Sequence, residues 1–421
     1  MFKFLHAADI HLDSPMHKLE SYEGAPAGEL RGATRRAFEN MVELAIAEEV
    51  AFLIISGDLY DGDWKDYNTG LYFVSQMQKL READIPVFMI AGNHDAASRI
   101  TKTLRLPEGV SLFPSDKPHI EHLEKMDVAI HGQSFASPAV KNNLSLKYPP
   151  PLKNCFNIGI LHTCVTGREG HEPYAPCKIE DLQSKAYDYW ALGHVHQREI
   201  LLKDPLIVFP GNIQGRHVRE TGPRGCMLVE VDNNGKPEAS FRALDVARWF
   251  MIEIDASSAG TGYDVLDLVR ERLDKLLEEN GGLPLVARIK IVGDSRAHDD
   301  LSSDTERWTN EIRSAAMDMS SGLIWIEKVN VQTDFPVDLK SLKSSSGPVA
   351  ELLSYIDEIG NDPEKLKFLG GVLEDLNTKL PREFKEGGDV LGLNDPNWIN
   401  DILKKVRPML VRRLLKKEDA G

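Results

Sequence analysis

Residues 52–58 read Phe-Leu-Ile-Ile-Ser-Gly-Asp, an apolar run without alternation that stops at a serine, a glycine and a carboxylate. Such a run, bounded by turn residues, predicts a short strand buried on both faces. Reactive groups in open α/β sheets gather just beyond the carboxyl ends of strands of this kind. That places Asp58, with Asp61 close behind it, at a candidate site. The design returns along the chain. Lys3 to Ala7 runs into Asp9-Ile10-His11, Pro86 to Ala91 into Gly92-Asn93-His94-Asp95, Phe156 to Leu161 into His162, and Tyr187 to Leu192 into Gly193-His194-Val195-His196. Between the early strands lie helical stretches. Phe38, Met41, Val42, Ala45 and Ile46 fall on one stripe of residues 34–49, and a second helix is expected near 68–82.

The residue types at these strand ends share one chemistry. Asp, His and Asn offer oxygen and nitrogen donors without sulfur, a set suited to Mn²⁺, Fe²⁺ or Zn²⁺. Gly57, Gly92 and Gly193 let the backbone turn and approach closely beside them. A central Asp58 with histidines on both sides can bridge two cations about 3.5–4 Å apart, an arrangement that clamps phosphate and activates water near neutral pH. Each motif also has a plainer reading. Asp9 and His11 can form a capped turn, residues 93–95 a helix N-cap, His162 a satisfied polar group, and His194 with His196 a surface pair. Five such motifs in order on successive strand ends favour one binuclear site.

The rest of the chain sets limits. With 421 residues, more than one domain is expected. The formal charge of −15 argues against a surface coated in basic residues for holding nucleic acid unaided. Bound cations or a basic patch can still supply local positive charge. Cys155, Cys164, Cys177 and Cys226 show no C-x-x-C spacing, so reduced thiols are expected. No run approaches the roughly 18 apolar residues of a membrane helix, and a cytoplasmic location is expected. After residue 245 the donor clusters cease. A β-α-β-α-β pattern follows to about residue 331, then a Ser344–Pro348 linker and a helical remainder.

The motif order D-x-H, G-D-x-x-D, G-N-H-D, H and G-H-x-H resembles the calcineurin-like metallophosphoesterases over about residues 1–245. Within them the chain is similar to the SbcD-type DNA repair exonucleases, in particular their YhaO-like branch. Besides the metal motifs, residues 210–217 (Pro-Gly-Asn-Ile-Gln-Gly-Arg-His) and 244–249 (Leu-Asp-Val-Ala-Arg-Trp) carry this likeness. The resemblance implies an α/β fold: a two-sheet sandwich flanked by helices (1–245), a small α/β capping domain (246–336), and a linker with a helical C-terminal region (337–421). It further implies that Asp9, His11, Asp58 and His196 hold one divalent metal, and Asp58, Asn93, His162 and His194 a second, with manganese expected. His94 would contact the scissile phosphate, with Asp95 orienting it. Archaeal and eukaryotic relatives tend to carry histidine where this chain has Asp61, which leaves the balance of exonuclease and endonuclease action open.

The expected activity is metal-dependent DNA hydrolysis by a homodimer that pairs with an ABC-type coiled-coil ATPase. Ile399, Ile402, Leu403, Val406, Leu410 and Leu414 form an apolar stripe with Lys404, Lys405, Arg412, Arg413, Lys416 and Lys417 around it, and Pro408 interrupts it. The stripe suits docking to such a partner and equally packing on its own domain. Arg216, His217, Arg219 and Arg224 are placed for DNA phosphates or are ordinary surface charge. Two other functions compete: a phosphatase or phosphodiesterase for a non-DNA substrate, and a structural subunit with a vestigial site. Gly62-Asp63 after Asp61, and Asp95 ending the third motif, depart from the protein phosphatase pattern.

Overall fold

A computed structural model of the chain describes residues 1–14, 32–61, 67–97, 106–165, 174–336, 342–343, 347–372, 379 and 395–418. Pro15, Gly62, Asp63 and residues 344–346 of the expected linker lie outside the described residues, as do the side chains of the six basic residues around the C-terminal stripe and of Pro408. The chain forms two compact units. One comprises Met1–Ile252, Leu273–Arg288 and Ala316–Lys328; the other comprises Glu253–Arg272, Ile289–Ala315 and Val329–Gly421.

The N-terminal part alternates strand and helix: β1 (Phe2–Ala7), α1 (Ala33–Ala47), β2 (Phe52–Ile55), α2 (Tyr67–Glu82), β3 (Val87–Met89), α3 (Asn93–Ala97) and β4 (Val110–Leu112). Then come β5 (His119–Leu123), β6 (Val128–Gly132), β7 (Phe156–His162), α4 (Ile179–Gln183), β8 (Tyr189–Gly193), β9 (Glu199–Lys203), β10 (Leu206–Phe209), β11 (Gly225–Val231) and β12 (Pro237–Ala243). They build two six-stranded sheets, ordered β12-β11-β1-β2-β3-β4 and β5-β6-β7-β8-β10-β9. The strands from β1 to β4 run parallel, as do β6, β7, β8 and β10. Antiparallel strands close one side of the first sheet and both edges of the second.

Every residue of β2 is buried, because its two faces meet different cores. Leu53 and Ile55 pack with Phe38, Met41 and Val42 of α1 and Phe73 and Met77 of α2. Phe52 and Ile54 face the second sheet, among Ile158, Ile160, Tyr189 and Val208. The two-sheet sandwich flanked by helices is thus the fold of this part. Truncating a buried phenylalanine such as Phe52 to alanine costs about 3–5 kcal/mol.

Further along, β13 (Arg248–Asp255), α5 (Gly262–Glu279), β14 (Leu285–Asp294), α6 (His298–Ser303), α7 (Thr305–Met319) and β15 (Ile324–Asp334) follow in order, with the strands in one three-stranded sheet. α8 (Pro348–Gly360), α9 (Pro363–Val372) and α10 (Pro396–Glu418) complete the chain, and α10 packs against both α8 and α9. None of the four cysteines is in a disulfide. Among the described residues, no helix is long and apolar enough to cross a membrane.

Candidate metal centre

Parallel pairing aligns the strand ends. Ala7 pairs with Ile55 and Ile55 with Met89, so Asp9, Asp58 and Asn93 leave the first sheet side by side. In the second sheet His162 pairs with Gly193, which brings His162 next to His194. The sheets are joined close to these ends: Ser56 Oγ donates to the Ala191 carbonyl at 3.0 Å, and Nδ1 of His6 lies 2.9 Å from the Tyr189 hydroxyl. A Cβ on Gly193 would lie 2.0 Å from the Ser56 carbonyl oxygen, and one on Gly92 2.3 Å from Asp58 Oδ1. Only glycine permits that approach.

The donors sit on strained backbone. Asp9, His11, Asp58 and His194 have φ of 50°, 47°, 53° and 102°, a region that costs a non-glycine residue about 1–3 kcal/mol. Tertiary bonds hold them there. Asp9 N–H donates to the Gly57 carbonyl and His11 N–H to the Asp58 carbonyl, each at 3.0 Å. The Asp9 carboxylate accepts the His194 backbone N–H at 3.0 and 3.1 Å.

Side chains from both sheets converge. Asp9, His11 and His196 form one group able to hold a cation, Asp9, Asp58 and His162 another, and His11, Asp58 and His94 a third. Asp58 belongs to two of them. Nε2 of His162 lies 3.0 Å from Asn93 Oδ1 and 3.4 Å from Asp58 Oδ2. Nε2 of His11 lies 3.3 Å from Nε2 of His196 and 4.0 Å from Asp58 Oδ2. The His194 ring stands 5.2 Å from that of His162, centroid to centroid. Asp9, His11, Asp58 and His162 are buried, whereas His94 keeps 39% and His196 25% of the side chain exposed. The cluster therefore has a closed floor and an open rim.

The donor set calls for positive charge. Nδ1 of His162 lies 2.9 Å from the Ser56 carbonyl oxygen, so that nitrogen carries the proton. Its Nε2 then presents a lone pair to two further acceptor oxygens, a clash of like partial charges that a cation relieves. Burial works against a charge on His162, yet Asp58, Asp9 and the Ser56 carbonyl outweigh it and push the ring up to about 9. Burial and the nearby Arg216 charge push His11 down to about 3, leaving it a neutral donor. Burial raises the Asp58 carboxyl, but His162, His11 and His94 hold it well below the usual carboxylate range. These residues fit a pair of divalent metals.

Two expectations are corrected by the geometry. Asp95 does not orient His94. Its carboxylate accepts the backbone N–H groups of Leu59 (3.1 Å), Tyr60 (2.9 Å) and Gly92 (3.1 Å), and burial with the Asp58 charge pushes it up to about 6. The neighbour of His94 is Asp61, whose Oδ1 lies 3.0 Å from His94 Nδ1. Arg224 is buried and donates to the His196 and Thr221 carbonyls, which removes it from any DNA-facing surface. Arg216 is mostly covered, at 14% side-chain exposure, and lies near Asp61 and Glu220; His217 and Arg219 are exposed. Glu220, absent from every sequence motif, has its Oε1 2.6 Å from Nδ1 of His196.

A profile for calcineurin-like phosphoesterase matches residues 2–198, and one for metallophosphoesterase YhaO, middle domain, matches residues 249–334. The chain belongs to the calcineurin-like metallophosphoesterases, a family of hydrolases that use divalent metals. It is similar to the uncharacterized metallophosphoesterase YhaO of Bacillus subtilis, with 33% identity over 69% of this chain and 71% of that protein. The DNA double-strand break repair protein Mre11 of Sulfurisphaera tokodaii is 28% identical over 66% of this chain and 69% of its own length. Its namesake from Sulfolobus acidocaldarius is 25% identical over 90% of this chain and 97% of its own.

Proposed function

We propose that the chain is a metal-dependent DNA nuclease of the exonuclease kind that hydrolyses phosphodiesters at a two-metal centre, in DNA repair or end processing. Asp9, His11, Asp58 and His196 would hold one cation, and Asp58, Asn93, His162 and His194 the other, with manganese as the expected metal. The observation that carries the reading is the convergence of buried acceptor atoms from two sheets around Asp58. When bound, a pair of divalent metals supplies a nucleophile from water near neutral pH and neutralises charge on the phosphate.

The chain's own groups do the rest. His94, at the open rim, hands a proton to the departing oxygen, and Asp61 holds its ring for that transfer. The buried floor of Asp9, His11, Asp58 and His162 keeps bulk water from competing for the donor atoms. The names of the Mre11 relatives support DNA as the substrate.

The same reading takes residues 1–245 as the nuclease domain, 246–336 as a cap and 337–421 as a helical region. It includes a homodimer and an ABC-type coiled-coil ATPase that docks on α10, a view supported by the exposure of Leu410 and Leu414 on that helix. The test is Mn²⁺-dependent cleavage of end-labelled duplex and single-stranded DNA by the full chain, with His94→Ala and an aryl phosphodiester in parallel. DNA cleavage that the variant loses is the expected result. Turnover of the aryl ester with DNA untouched, ATPase partner present or absent, would transfer the site to a non-DNA phosphodiester.

A further inference from the structure

Behind His196 stands a carboxylate with no role in the metal motifs. Glu220 is 4% exposed. Its Oε1 meets His196 Nδ1 at 2.6 Å, and its Oε2 accepts the Arg216 backbone N–H at 2.7 Å and Asn212 Nδ2 at 3.0 Å. The Arg216 guanidinium lies between two carboxylates: Nη2 is 3.7 Å from Glu220 Oε1, and Nη1 is 3.7 Å from Asp61 Oδ2 and 3.2 Å from Ser14 Oγ.

A carboxylate at Nδ1 of an imidazole fixes the proton on that nitrogen and leaves the lone pair on Nε2. In His196 that Nε2 is the atom 3.3 Å from His11 Nε2 and 3.9 Å from Asp9 Oδ1. It is therefore the atom aimed at the cluster. Arg216 spends its charge inside the protein, with little of its side chain left to meet a DNA backbone.

We propose that Glu220 is the positioning residue that makes His196 a metal ligand, and that Arg216 is the counter-charge linking Glu220 to Asp61 rather than a contact for DNA phosphates. The inference rests on the reading of Asp9, His11, Asp58 and His196 as one metal position. Nothing local in the sequence marks Arg216 as internal, so it reads there, with its neighbours, as surface charge or a DNA contact.

The test is calorimetric titration of the metal-free full chain with MnCl₂, for the native protein and for Glu220→Ala, Glu220→Gln and Arg216→Ala. Thermal unfolding without metal establishes that each variant is folded. The native protein should bind two ions. Glu220→Ala should weaken one binding step about 10–100-fold, the usual effect of losing a partner behind a ligand, and leave the other step in place. Glu220→Gln keeps an acceptor for Nδ1–H and should fall between. Arg216→Ala should leave the salt dependence of duplex DNA binding unchanged.

Two unaltered Mn²⁺ steps in Glu220→Ala would overturn the role of Glu220. Arg216→Ala with intact Mn²⁺ binding, weaker DNA binding and a salt slope reduced by about one would make Arg216 a phosphate contact and overturn its assignment. Fewer than two ions on the native protein would instead bring down the two-metal reading itself.

Discussion

Oδ1 of Asp61 lies 3.0 Å from Nδ1 of His94, while Oδ2 of the same carboxylate accepts the Ser14 hydroxyl at 2.5 Å. Ser14 anchors the carboxylate and the carboxylate aims the ring. The bond to Asp61 raises the His94 pKa above its ordinary value, against the effect of burial. His94→Ala should lower kcat about 10²–10⁴-fold, the range of one acid–base group. Asp61→Asn should lower it less, with KM for an aryl phosphodiester little changed. Steady-state kinetics on the two variants check both.

Asp95 has a different role, and its removal should show elsewhere. Its carboxylate satisfies three backbone N–H groups where β2 and β3 end. Buried N–H groups left unpaired cost about 1–3 kcal/mol each. Asp95→Ala should therefore lower the urea midpoint of unfolding clearly, whereas Asp61→Asn should move it little. Equal effects of the two on stability would contradict the assignment.

Metal should stabilise the fold. Buried Asp9 and Asp58 face each other's charge, and burial raises the Asp9 carboxyl while His196 and His162 oppose that. An ion that binds only the folded state adds about 2.7 kcal/mol at a hundred times its Kd. Thermal unfolding should shift upward with MnCl₂ and return with a chelator. Asp58→Ala should abolish the shift.

His6 gives the sandwich a pH dependence of its own. Its ring is buried between Tyr189 and the Leu192 carbonyl, and burial pushes it down to about 3 from 6.5. The unfolded imidazole takes a proton below about pH 6.5 that the folded one refuses. Stability is thus fully present above that pH and falls as pH drops from about 6.5 toward 3, by up to about 1.4 kcal/mol per pH unit. His6→Gln should be less stable near pH 7 but lose less between pH 7 and pH 5. Urea unfolding of both proteins in chelator measures the difference.

Much of the first sheet and its donors was legible in the sequence, for a physical reason. Parallel strands covered on both faces need unbroken apolar runs, and their ends need residues that tolerate left-handed backbone, which glycine, Asp, Asn and His do. The outer strands left weaker marks. β12, for example, reads Pro-Glu-Ala-Ser-Phe-Arg-Ala and is partly exposed along most of its length. Asp61 and Asp95 each end a metal motif, and only the packing decides which one meets His94. A carboxylate in the first turn of α3, three residues after Gly92, carries the local signal for bonding backbone N–H groups. Glu220 offered no signal, since it lies 24 residues from His196 and reaches it through the fold.

The central claim is that Asp58 joins two metal positions. Anomalous diffraction at the manganese edge, from crystals of the full chain grown with MnCl₂, tests it most directly. Two peaks about 3.5–4 Å apart, with Asp58 between them, Asp9, His11 and His196 around one and Asn93, His162 and His194 around the other, are the predicted result. A single peak, or a pair that Asp58 does not touch, would contradict it.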